Sequence, residues 1–126
     1  MKFRLLESID TYYRITVIDD SGRLKGGLFR GLNHMIKDLY DKDDPFYDNI
    51  NYPLCKLEYM TYYPKDFENS KAIFAYKSDK YEELKETILD LKAELNKIGW
   101  DLIISKINRP ENIVYEDAEQ IAYINV

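Results

Sequence analysis

The chain is poor in the residues that usually announce a site. Its 126 residues include one cysteine, one histidine, one tryptophan, four prolines and five glycines. A lone Cys55 rules out an internal disulfide, and no cysteine–histidine cluster exists to hold zinc. So few prolines and glycines leave no flexible linker, and the length suits one domain spanning residues 1–126. No apolar run approaches the ~18 residues of a membrane span, so no membrane partner is expected. The opening stretch MKFRLLESID lacks a long apolar core and a small-residue cleavage site, so no secretory leader is expected. Together these absences point to a reducing, cytoplasmic setting.

Charge and tyrosine are what the chain has. Net charge is −5, unevenly spread. Residues 1–37 carry seven Lys/Arg against four Asp/Glu, and residues 38–68 carry three against eight. An acidic chain is a poor general nucleic-acid binder, because phosphate contacts need positive charge. It suits a cationic ligand or a basic protein surface better. Tyrosine occurs twelve times against five phenylalanines. Its apolar ring and polar tip suit sheet faces, interfaces and ligand cages alike.

Hydrophobic periodicity organises the rest. Residues 2–9 read as an edge strand and Tyr12 to Ile18 as a second strand. Asp19 to Gly22 reads as a turn. The glycine-containing stretch after it, SGRLKGGLFRGL, reads as a bend leading into a helix from Gly27 to Tyr40. Leu28, Leu32, Met35, Ile36 and Leu39 form that helix's buried stripe. The prolines, aspartates and asparagines of residues 41–53 predict a loop. Alternation predicts strands over Cys55 to Tyr63 and Lys71 to Lys77, with a turn between them. Residues 79–98 predict a long helix. Its stripe is Tyr81, Leu84, Ile88, Leu91, Leu95 and Ile98, with a stop at Gly99. Further strands are expected at Trp100 to Ile107, Ile113 to Tyr115 and Ile121 to Val126. The expected class is α+β, an antiparallel sheet with two helices on one face. The two helices align at an offset of 52 residues: Phe29 with Tyr81, Leu32 with Leu84, Ile36 with Ile88, Leu39 with Leu91. That alignment fits duplicated β-α-β-β units.

Known chemical motifs do not form. Gly22, Gly26, Gly27 and Gly31 lack the closing Gly-Lys-Ser/Thr of a phosphate loop. DKDDPFYDNINY opens like a calcium loop but has Phe46 at its sixth position and Tyr52 at its twelfth, where glycine and glutamate belong. His34 lies off the apolar stripe, and Cys55 falls in a predicted strand as a buried thiol. No metal, cofactor or catalytic residue is expected, and the chain reads as a binding protein rather than an enzyme.

The second half resembles the GyrI-like domains, effector-binding modules of multidrug-sensing regulators. The likeness lies in Tyr81 at the start of a helix, Gly99-Trp100 at its end, the stretch Tyr115-Glu116-Asp117, and a terminal strand ending in valine. YYPKD at 62–66 is similar to the corresponding turn of the first half. Asp79-Lys80 stands where the family commonly has Gly-Pro, Ile121 where it often has a pocket glutamate, and Asn125 where it has proline. The resemblance implies duplicated β-α-β-β units and an aromatic, acidic cleft between the halves for a small hydrophobic or cationic ligand. Tyr13, Glu58, Tyr59, Tyr62 and Tyr76 are its candidate lining. The alternative is an acidic protein inhibitor, such as a toxin's immunity protein or a phage-encoded inhibitor of a nucleic-acid enzyme. Asp41, Asp43, Asp44, Phe46, Tyr47 and Asp48 would then meet a basic partner.

Overall fold

A computed structural model of the chain describes residues 11–62, 64 and 71–124. The strand expected at 2–9, most of the turn after Tyr63 and the last two residues lie outside them. The elements are β1 (Thr11–Ile18), β2 (Leu24–Gly27), α1 (Leu28–Asp41), α2 (Phe46–Met60), β3 (Ile73–Lys77), α3 (Ser78–Asn96), β4 (Asp101–Asn108), β5 (Ile113–Glu116) and β6 (Gln120–Tyr123). The six strands form an antiparallel sheet ordered β2-β1-β3-β6-β5, with β4 also paired to β1. The fold is α+β, with three helices among the described residues where two were expected.

Contacts within the chain group into two compact units. One comprises residues 1–14, 63–83 and 104–126; the other comprises 15–62 and 84–103. In the first, β6 lies between β3 and β5, and its four residues are all buried. Tyr12, Ala75, Ile121 and Tyr123 make its core, flanked by Ile73, Ile107 and Ile113. Asp117 closes the β5–β6 hairpin. Its Oδ1 accepts the Glu119 and Gln120 backbone N–H groups at 2.7 and 3.0 Å, and its Oδ2 accepts the Tyr115 hydroxyl at 2.8 Å.

In the second unit, Asp19 Oδ1 accepts the backbone N–H groups of Ser21 and Arg23, at 3.0 and 2.9 Å, and the Ser21 hydroxyl. These bonds, the Arg23 amide's foremost, hold the Asp19 carboxyl below its usual pKa. The turn brings β2 back antiparallel to β1, with Thr16 opposite Gly27 and Val17 opposite Gly26. The glycine stretch is therefore partly a strand, which corrects the bend expected from sequence. Lys25, Gly26 and Gly27 have no strand propensity of their own; pairing with β1 imposes the conformation. Helix α1 begins at once, and Gly31 faces β1 so closely that a Cβ there would stand 2.9 Å from the Val17 side chain.

Helix α2 is the larger correction. Residues 42–45 form the turn expected there, but a helix takes the place of the rest of the loop expected at 41–53 and of most of the strand expected at Cys55 to Tyr63. Ile50, Pro53, Leu54 and Leu57 are buried at helical spacing, whereas Cys55 and Tyr59 are exposed on the other side. The alternation of Cys55, Leu57 and Tyr59 was a coincidence of the two periods. Pro53 removes one helical hydrogen bond, a penalty of ~3 kcal/mol. Burial of Ile50, Leu54 and Leu57 contributes about 1.5–3 kcal/mol each, which outweighs it. With a helix in that place, the described residues 11–60 run β-β-α-α, without the strand that a β-α-β-β unit needs after α1.

Helix α3 follows expectation. Tyr81, Leu84, Ile88, Leu91 and Leu95 are buried, and Ile98 is half-buried. It stops at Gly99, whose φ is +86°. The Gly99 N–H donates to the Asn96 carbonyl and the Trp100 N–H to the Leu95 carbonyl, the paired bonds of a Schellman motif.

Candidate functional site

The α1–α2 corner is built by its aspartates. The backbone N–H groups of Lys42, Asp43 and Asp44 donate to the carbonyls of Asp38, Tyr40 and Leu39. Asp43 adopts a left-handed φ of 54°, a conformation aspartate tolerates better than most residues. Asp44 Oδ1 accepts the Phe46 N–H at 2.9 Å, ahead of the first turn of α2. Pro45 fits there because helix starts leave amides without a partner, so its missing N–H loses nothing. Asp48 in the first turn complements the positive end of the helix dipole. The Tyr40 and Tyr47 rings meet across the corner at 5.2 Å and 60°.

Charge at this corner stays in solvent. Asp41, Asp43 and Asp48 are exposed, while Asp44, Phe46 and Tyr47 are half-buried. Asp38 and Lys42 pair at 3.0 Å with both side chains largely in water, so the pair is weak. Residues 38–62 carry six Asp/Glu against two Lys. Tyrosine rings surround them: Tyr40 is 66% exposed, Tyr52 76%, Tyr59 93% and Tyr62 61%. Asp48, Asn51, Tyr52, Cys55 and Lys56 line an open depression of about 620 Å³ along the outer side of α2. The Cys55 thiol, expected to be buried, is exposed there and lies 3.4 Å from Asn51 Oδ1.

The five proposed ligand-lining residues divide between the two units. Tyr13 and Tyr76 are cross-strand partners in the first. Tyr76 is buried, and the Tyr13 ring stacks on Tyr81 at 4.1 Å, nearly parallel. Burial, aided by Tyr13, pushes the Tyr81 hydroxyl above its usual pKa. Glu58, Tyr59 and Tyr62 sit at the C-terminal end of α2 and just beyond it, all exposed. By contrast, the structure gathers the six proposed partner-binding residues into one corner. Sequence reading missed Tyr40 and Tyr52 as surface aromatics. The signal was present: Ile50, Leu54 and Leu57 at helical spacing leave Tyr52, Cys55 and Tyr59 on the opposite side.

The first unit also holds a charge network. Arg109 donates to the Tyr12 hydroxyl at 2.7 Å and to Glu116 at 2.8 Å, while Lys77 pairs with Glu116 at 2.8 Å. The Arg109 and Lys77 bonds draw Glu116 down to a pKa of about 2, and Glu116 and Tyr12 hold the guanidinium firmly charged. Buried Lys80 pairs with Glu83 and Glu119 at 3.5 and 3.4 Å. Each charge here already has a protein partner. Among the described residues no cluster of His, Cys, Asp or Glu could hold a metal ion, and no helix is long and apolar enough to cross a membrane. Comparison with protein-family models, curated proteins and solved structures returns no significant match for this chain.

Proposed function

We propose that this chain is a non-catalytic binding protein that docks its acidic α1–α2 corner onto a basic surface of a partner protein. The carrying observation is the exposure of Asp41, Asp43 and Asp48 beside the Tyr40–Tyr47 pair on a hydrogen-bonded helical corner. Carboxylates of one sign steer a basic partner and set orientation, and tyrosine rings supply apolar contact with little entropy loss. A nucleic-acid-binding groove is the kind of surface that fits. By filling one, the chain would act as an inhibitor of a nuclease or a similar enzyme. The small-molecule reading would need the Tyr13 and Tyr76 rings free, whereas the first is stacked and the second buried.

The test is photo-crosslinking in cells from a reactive analogue at Tyr47, followed by reconstitution with the purified partner. The expected partner is basic, its affinity falls about tenfold or more between low and physiological salt, and the Asp41→Asn/Asp43→Asn chain binds about tenfold more weakly. Adducts only with acidic proteins, or an affinity indifferent to salt and to both substitutions, would overturn the proposal.

A further inference from the structure

The outer side of α2 differs in character from the acidic corner. Along it run Asp48, Tyr52, Cys55, Lys56 and Tyr59, all exposed. Among these five the charges are one of each sign; Glu58, also exposed, lies further round the helix. Asp48 and Lys56 are eight residues apart, about 12 Å along the axis, too far to pair within one helix. Neither has an ion-pair partner among the described residues. They stand four residues before and four residues after Tyr52. A face with that spacing is complementary to itself when turned end for end.

We propose that α2 pairs antiparallel with α2 of a second copy of this chain, across a two-fold axis at Tyr52. Asp48 of each copy then meets Lys56 of the other, and the two Tyr52 rings meet at the axis. The depression beside Asn51, Tyr52 and Cys55 receives the opposing side chains, as ridges of one helix fill grooves of another. A two-fold contact requires one patch to serve both partners, and these opposite charges at equal distance from a tyrosine meet that requirement. A uniformly basic partner would be attracted by Asp48 and repelled by Lys56, so this face suits such a partner poorly. One helix of 15 residues offers less than the ~1,200 Å² of a stable interface. The association is therefore reversible and weak, with a Kd on the order of 10–100 μM. This inference goes beyond the acidic corner's proposed role; the two share Asp48, so a partner on the corner and a second copy on α2 compete for that carboxylate, whereas Asp41 and Asp43 belong to the corner alone.

Sedimentation velocity from 10 μM to 1 mM, an experimental range set by that expected Kd, tests it with charge-swapped chains. The swapped positions are exposed, and circular dichroism verifies that each chain folds. Wild type is expected to dimerise. The Asp48→Lys and Lys56→Asp chains, each alone, present like charges at both contacts and lose about tenfold or more in association. Mixed in equal amounts they regain wild-type association, because opposite charges again face each other. Tyr52→Glu places two carboxylates at the axis and weakens the dimer by at least a similar factor. The Asp41→Asn/Asp43→Asn chain self-associates like wild type, which separates this proposal from the corner's. A wild-type chain that stays monomeric at 1 mM (the top of the range) overturns the proposal. So does a mixture no tighter than its components, or a dimer indifferent to the swaps.

Discussion

The two units use the same residue types in opposite ways. In the unit of residues 1–14, 63–83 and 104–126, tyrosine is core: Tyr12, Tyr76, Tyr81 and Tyr123 are buried. Its charges are matched too, Arg109 and Lys77 on Glu116, Lys80 on Glu83 and Glu119. In the unit of residues 15–62 and 84–103, the core is aliphatic. Tyr40, Tyr52, Tyr59 and Tyr62 stand in solvent, with Asp41, Asp43 and Asp48 beside them. A tyrosine hydroxyl needs a hydrogen-bond partner when buried, and Arg109 supplies one for Tyr12. The buried Tyr12 hydroxyl and the Lys77, Lys80, Arg109 and Glu116 charges of the first unit are thus satisfied within it. The second keeps aromatic area and charge available to other molecules.

Substitution can break this contrast, and the largest effect is expected in the tyrosine core. Tyr12 is fully buried, so Tyr12→Ala should lower stability by about 3–5 kcal/mol. Denaturant unfolding measures it, and a loss below about 1 kcal/mol would mean the tyrosine core contributes little. Next is Gly31→Ala. It drives a methyl into Val17 and should destabilise by about 1–3 kcal/mol despite alanine's better helix propensity. A neutral or stabilising result would show that α1 and β1 separate without strain.

A smaller, pH-dependent effect belongs to Glu116. Its folded pKa of about 2 lies below the 4.5 of a free glutamate. Its stabilisation is therefore complete above pH ~4.5 and lost as pH falls towards ~2. The side chain is about a third exposed, so solvent screening leaves about 1 kcal/mol or less. Glu116→Gln should be less stable than wild type by that amount at neutral pH, with the gap closing as acid is added. A gap constant with pH would locate the effect in packing. The smallest effect is expected at Tyr59→Ser, within about 0.5 kcal/mol by thermal or denaturant unfolding. A loss of several kcal/mol there would show that this ring carries the fold, and the contrast between the units would fail.

How legible each element was in the sequence follows from how local its cause is. Helix α3 could be read because one stripe, Tyr81 to Leu95, and one stop, Gly99, both lie within it. β1 could be read from its alternating residues, and β4 from a run rich in isoleucine after the helix stop. Strand β2 could not, since Lys25, Gly26 and Gly27 carry no strand signal and only pairing with β1 makes them one. Helix α2 was misread because Pro45, Pro53 and a run of Asp and Asn resemble a loop. The acidic corner itself was found, since clustered aspartates mark themselves, but its support by a helix was not. The face carrying Tyr52 was hidden by the same error, because a strand would have put Cys55, Leu57 and Tyr59 on one side.

The amino-acid sequence alone determined the α+β class, the long helix and its end, and the clustering of negative charge near residues 38–48. Each of these rests on neighbours in the chain, at spacings that two backbone periods set. Only the tertiary structure decided that a segment holding Pro53 is helical, that four tyrosines point to water and that four others form a core. Those outcomes depend on how much apolar surface lies against each side chain. Burial of Ile50, Leu54 and Leu57 outweighs the lost hydrogen bond at Pro53 only once other elements cover them.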